Sequence, residues 1–211
     1  MTKTTTLNLF LLASFFAVIA NGEPPIGSGK LSPCLEQCLE PMLNMEKSIS
    51  FIYRNYEKVC DILENSAKCS QKCTQEDKTH FFQFTTFYRI HCVEFEEALE
   101  EHLECLKEAS YKADVVCRGK CTQNKENKKL AKEEQQKNIC KSVECSTICY
   151  YKEFARSCPC AKDVALHMNV RIADEMKRVL HPKTIETMQE QCRRIHDSGY
   201  MRQRMLENIK K

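Results

Sequence analysis

The sequence predicts an all-α, disulfide-rich domain. Its expected spine is a long antiparallel helical hairpin, with further helices towards the C-terminus. Three observations predict this. The chain has 15 cysteines in 211 residues, a density that reads as a disulfide framework in an oxidising compartment. It has only five glycines and no tryptophan, and glycine is far below its usual share of roughly 7%. Its apolar residues recur at steps of three and four over long stretches, which is the helical period.

The first segment, "MTKTTTLNLFLLASFFAVIANG", has one early lysine, an apolar run from Leu7 to Ala20, then small residues. It reads as a signal peptide over residues 1–22, which makes the mature chain secreted and extracellular. The run is shorter than the roughly 20 residues that a membrane span needs. Residues 23–33, "EPPIGSGKLSP", hold three of the six prolines and two of the five glycines. They read as a flexible N-terminal arm.

The disulfide-rich helical domain is expected over 34–197. From Cys34 to Lys68, the positions Met42, Met45, Ile49, Ile52, Tyr56, Val59 and Leu63 mark one helical face. Pro41 breaks or kinks this segment. "CSQKCTQEDKTH" reads as a polar connection. A second stripe then runs through Phe84, Tyr88, His91, Phe95, Ala98, His102, Cys105, Ala109, Ala113 and Val116. It predicts one long amphipathic helix over about 84–118, ended by Gly119. Within it lies "HCVEFEEALEEHLEC", whose glutamates fall on the other faces.

Residues 122–138, "TQNKENKKLAKEEQQKN", are charged and almost free of apolar groups. They read as a charged linker. After the cluster Cys140, Cys145, Cys149, Cys158 and Cys160, Asp163 is placed to cap a helix that continues to about Leu180. Pro182 opens a last helix with Ile185, Met188, Cys192 and Ile195 on one face. Residues 198–211 read as a basic C-terminal tail.

Charge is segregated but small in sum. The formal net charge is +3, and one positive charge leaves with Lys3. Such a balance does not point to nucleic acid.

The cysteines show four i, i+4 pairs: Cys34/Cys38, Cys69/Cys73, Cys117/Cys121 and Cys145/Cys149. On a helix, each pair faces one way and can bond a neighbouring helix as two rungs. Neither C-x-x-C nor C-x-x-C-H occurs. An oxidising compartment favours disulfides over metal, so disulfides are expected and no metal or cofactor. If helices 34–68 and 84–118 are antiparallel neighbours, Cys60 faces Cys92. Cys34 and Cys38 then face Cys121 and Cys117. Nine cysteines precede the charged segment and six follow it. Either a bridge joins the halves, or one cysteine is free or bonds another chain.

No residues in the chain make a catalytic constellation. His91 and His102 share a stripe with Cys92 and Glu101, and read as buried histidines satisfied by neighbouring carboxylates. G-x-S-x-G, H-E-x-x-H and glycine-rich phosphate loops do not occur. His196-Asp197 occurs without the adjacent cysteine pair of a secreted phospholipase. Two Ser-Gly dipeptides, Ser28-Gly29 and Ser198-Gly199, are candidate glycosaminoglycan attachment sites. Ser28 is the better placed, in the arm.

"CLEQCLEPM", "YEKVCDILENSAKC", "YRIHCVEFEEALEEHLECL" and "VVCRGKC" together resemble the nematode chondroitin proteoglycan 4 domain. Its most specific block is Tyr88, Cys92, Val93, Glu94, Glu97 and Ala98. The spaced Cys34, Cys38, Cys60, Cys69, Cys105, Cys117 and Cys121 support it, over about residues 31–121. The resemblance implies a secreted, helical, disulfide-linked protein without catalytic residues. Its partners would be extracellular matrix or glycan components. The chain departs from the family in having few Ser-Gly sites. The expected function is a non-enzymatic matrix or proteoglycan-core component. The alternative is a secreted helical ligand or carrier for a receptor or a small apolar molecule.

Overall fold

In the computed structural model, the described residues are 31–121, 131–180 and 182–209. The signal segment 1–22, Ser28 and most of the N-terminal arm lie outside them. Among the described residues there is no strand, and twelve α-helices carry the fold.

Helix α1 (Pro33–Leu43) starts where the arm ends. Ser32 caps it by accepting from the Leu35 N–H at 3.1 Å, and Pro33 occupies the first turn, where no amide partner is needed. Pro41 lies inside its last turn, and the helix ends two residues later. Ser48 then caps the short α2 (Ile49–Arg54). Helix α3 (Tyr56–Ser70) runs past Asn65-Ser66 and lies against α1. Two rungs join the pair, Cys34–Cys73 and Cys38–Cys69. Cys34 and Cys38 therefore do not reach Cys121 and Cys117. The nearer i, i+4 pair across a local turn takes them.

The polar connection is partly a helix. Thr74 and Asp77 form a reciprocal capping box that starts α4 (Gln75–Phe84). The single long helix expected over 84–118 is broken. Thr85 and Thr86 turn their hydroxyls back onto the carbonyls of Phe81 and Phe82, at 2.8 and 3.1 Å. Such back-bonding bends helices. Helix α5 (Thr86–Arg89) passes into a π-turn, Ile90–Glu94, closed by the Phe95 N–H on the Ile90 carbonyl. The wider turn puts Ile90, His91 and Cys92 inside consecutively. This lets Cys92 reach Cys60 of α3, as the spacing suggested. Helix α6 (Glu96–Glu100) and α7 (Leu103–Cys121) follow. In α7 the buried stripe is Leu106, Ala109, Ala113 and Cys117, while Val116 is exposed. Gly119 lies within α7 and does not end it.

The long hairpin of the fold is α7 with α8 (Lys132–Ser157). Residues 132–138, expected in a linker, form the first turns of α8; residues 122–130 lie outside the described set. Two rungs join this hairpin in reverse order, Cys117–Cys149 and Cys121–Cys145. A turn of 3-10 helix, Pro159–Ala161, leads into α9 (Lys162–Val179). Asp163 lies in its first turn, not at the cap, which is Ala161. Helices α10 (Pro182–Thr187) and α11 (Glu190–Ile195) replace the single helix expected there. The expected basic tail is also helical. Its helix α12 (Ser198–Ile209) buries Met201 and Met205 against α8 and α9.

Two apolar cores result. The larger gathers α1 to α7 around Ile52, Tyr53, Val59, Tyr88, Ile90 and Leu106. The smaller holds Val143, Tyr151, Leu166, Cys192, Ile195 and Met205. Helix α8 is a wall of both: Tyr150 and Phe154 face the first, Val143 and Tyr151 the second. Its first turns, 132–138, carry no apolar residue, which is why they read as a linker.

Candidate functional site

Charge and hydrogen-bond chemistry concentrates at four places. The first is Asp114 on α7, nearly buried. Its Oδ2 accepts from the Ser50 N–H at 3.0 Å, satisfying an amide at the start of α2. Its Oδ1 accepts from the Tyr150 hydroxyl at 2.6 Å. One carboxylate thus joins α2, α7 and α8. Burial, with the hydrogen bond to Asp114, pushes the Tyr150 phenol well above its ordinary range, so it stays a donor.

The second is Glu175 on α9, with 0% exposure. It accepts from Arg171 at 3.0 Å and Arg178 at 2.8 Å, and Arg89 stands 3.7 Å away. Arg171 also grips Glu94 with two nitrogens, at 2.6 and 3.2 Å. Burial pushes the Glu175 carboxyl up. The hydrogen bonds from Arg178 and Arg171 outweigh it and hold the carboxyl below the usual carboxylate range. The network pins the π-turn to α9. The third place is Glu144 on α8, which accepts from Tyr200 at 2.7 Å, from Arg204 at 3.2 Å and from Gln191. It anchors α11 and α12.

Among the described residues, no histidine joins a metal-ligating cluster. His91 is buried, with Nδ1 2.8 Å from the Phe87 carbonyl and its own carbonyl accepting from Tyr56 at 2.6 Å. Its polar contact is backbone, not the neighbouring carboxylate expected. Apart from Glu94, which pairs with Arg171, the glutamates of "HCVEFEEALEEHLEC" are exposed. Burial lowers His91 to about 4, and it lowers His196 to about 4 as well. Both imidazoles are therefore neutral in the fold at neutral pH. Unfolding releases them to the ordinary value of about 6.5. Between pH 6.5 and 4 the unfolded chain binds more protons, so stability falls as the pH drops through that window. Urea unfolding at pH 7.5 and 5.0 should show a lower midpoint at pH 5.0. His196→Gln should reduce that drop. Equal midpoints at the two pH values would contradict the burial argument.

The fourth place is a corner of three sulfurs. Cys105 of α7 is bonded to Cys158 at the end of α8, and Cys160 lies beside them as an exposed free thiol. Cys140–Cys192 is the seventh bridge and ties α8 to α11. Two bridges, at Cys117–Cys149 and Cys121–Cys145, cross the charged segment, as does Cys105–Cys158. This is how nine cysteines before the segment and six after it leave a single thiol. Cys34, Cys38 and Cys73 also approach one another closely, but all three are in bridges and offer no thiolate to a metal.

Ser198 is the first residue of α12 and half-buried. Ser28 lies outside the described residues. Asp114, Glu144 and Glu175 were missed by sequence reasoning. Only Glu175 left a signal, in Arg171-x-x-x-Glu175-x-x-Arg178, the spacing of helical ion pairs.

One family model matches the chain. It is described as chondroitin proteoglycan 4 and matches residues 27–207. The chain belongs to the chondroitin proteoglycan 4 family. The match reaches beyond residues 31–121, where the resemblance was read, and takes in the C-terminal helices to within α12. The family unit therefore includes both cores and all seven bridges. No curated protein matches the chain, and no solved structure does. Among the described residues, no helix is long and apolar enough to cross a membrane.

Proposed function

We propose that the chain is a secreted, non-enzymatic component of an extracellular matrix, of the proteoglycan-core type. The family match over residues 27–207 carries this reading. Seven bridges in a helical body support it, because such a framework suits an oxidising extracellular setting. The partners are matrix or glycan components. Cys160 is the described cysteine open to a bond with another chain.

Glycan attachment is assigned to Ser28 before Ser198. A transferase needs a serine on an extended, accessible chain. Ser198 has its backbone committed to the first turn of α12, and its neighbour Asp197 accepts from the Tyr200 N–H at 2.8 Å. Protein secreted from its native tissue should run as a broad, heavy band that sharpens after chondroitinase treatment. Ser28→Ala should remove most of that shift, and Ser198→Ala little of it. A sharp band at the mass of the bare chain, unchanged by the enzyme, rejects the proteoglycan role. It would favour the plain secreted ligand or carrier.

A further inference from the structure

We propose that Cys105, Cys158 and Cys160 form a thiol–disulfide exchange centre, in which three sulfurs share one bridge and the free thiol migrates among them. This goes beyond the matrix reading and does not depend on it.

The geometry is specific. The Cys160 sulfur lies 3.7 Å from the Cys158 sulfur, in van der Waals contact with a bonded atom of the bridge. All three sulfurs lie within 4.8 Å of one another. Pro159, between the two cysteines, opens a turn of 3-10 helix, and that turn keeps both side chains near Cys105. Cys158 is fully buried, so a thiol from another molecule is shut out from it. Cys160 is already inside that barrier's edge and is exposed on its other side. The Cys105 sulfur lies 3.8 Å from the Ser157 carbonyl, an acceptor placed for its S–H once it is released. The other described cysteines all sit in bridges and have no thiol beside them.

The step balances without an oxidant. The thiolate of Cys160 attacks the Cys158 sulfur, since the thiolate is the nucleophile in such exchange. A bond forms between Cys160 and Cys158 as the bond between Cys158 and Cys105 breaks. The electron pair leaves on Cys105 as a thiolate, which takes up the proton that Cys160 gave to solvent. A second attack, by Cys105 on Cys160, releases Cys158 and restores a staple on α7. The chain holds one thiol and one bridge at this corner throughout. The consequence is control over its reactive thiol. On Cys160 it faces solvent; on Cys158 it is sealed inside.

The experiment uses the full secreted chain. It is held at pH 8, where exchange runs, then quenched in acid, unfolded under those conditions and labelled with a maleimide that reacts with thiols at low pH. Peptide mapping without reduction locates the label and the bridge. Wild type should carry one label, divided between Cys160 and at least one of Cys158 and Cys105. Cys160→Ser should lose labelling at all three positions. Cys158→Ser should take up no label, because Cys105 and Cys160 bridge. Label confined to Cys160 in wild type overturns the proposal. So does label that persists on Cys105 or Cys158 in Cys160→Ser, which marks incomplete oxidation. The wild-type distribution decides the matter even if Cys158→Ser fails to fold.

Discussion

Replacing Cys140 and Cys192 together by alanine should cost about 4 kcal/mol, and the loss should fall on the C-terminal helices. The bridge closes a loop with a sequence separation of 52. Chain-entropy estimates for loops of that length give about 4 kcal/mol. Its position matters as much as its size. It lies in the smaller core, where Val143, Tyr151, Leu166, Ile195 and Met205 are the apolar support. No other bridge holds α11 to the rest, and α12 reaches the body through Glu144 and its two buried methionines. In the double variant, amide hydrogen exchange should rise sharply over 182–209. Residues 33–121, which keep the rungs of α1 and α3 and the Cys60–Cys92 bridge, should stay protected. Uniform loss of protection over both regions would refute the division into two cores.

Glu175→Ala should destabilise the protein by about 3 kcal/mol, the usual scale for breaking a buried charge pair from one side. The carboxylate is fully buried and faces three guanidinium groups, Arg171, Arg178 and Arg89. Arg178 can swing into solvent, since its side chain is 67% exposed. Arg89 cannot do so as easily, with its side chain 15% exposed and its guanidinium over the Phe82 ring. Removing Glu175 leaves that charge partly desolvated without its partner. It also frees Arg171, which loosens the grip on Glu94 and the π-turn. Thermal melts at pH 7 check the size. Glu175→Gln should retain packing but lose the charge, and should also fall below wild type. A melting temperature unchanged in both variants would show that the cluster merely fills space.

Much of the fold was legible along the chain, for definite reasons. Helical periodicity and scarce glycine marked the class, because both act over neighbouring residues. The i, i+4 cysteine pairs marked rungs, since one turn of helix sets that spacing. Partner choice was not legible. Cys38 faces Cys69 rather than Cys117 because α1 packs against α3. The breaks at Thr85 and at the π-turn were hidden as well. A stripe of Phe84, Tyr88 and His91 reads the same whether the helix is straight or bent. The signal for the bend was the pair Thr85-Thr86.

The helical class, the disulfide density and the family were legible from the chain alone. These depend on composition and on spacing that survive in one dimension. Packing in three dimensions set which helices make the long hairpin, and that residues 132–138 belong to it. It also decided that the basic tail is a packed helix, and that Cys160 is the odd thiol. Each of these rests on contacts between segments far apart in the chain. A helix such as α8 that is apolar on two faces has no polar side to mark it, so its role becomes visible only when both cores are in place.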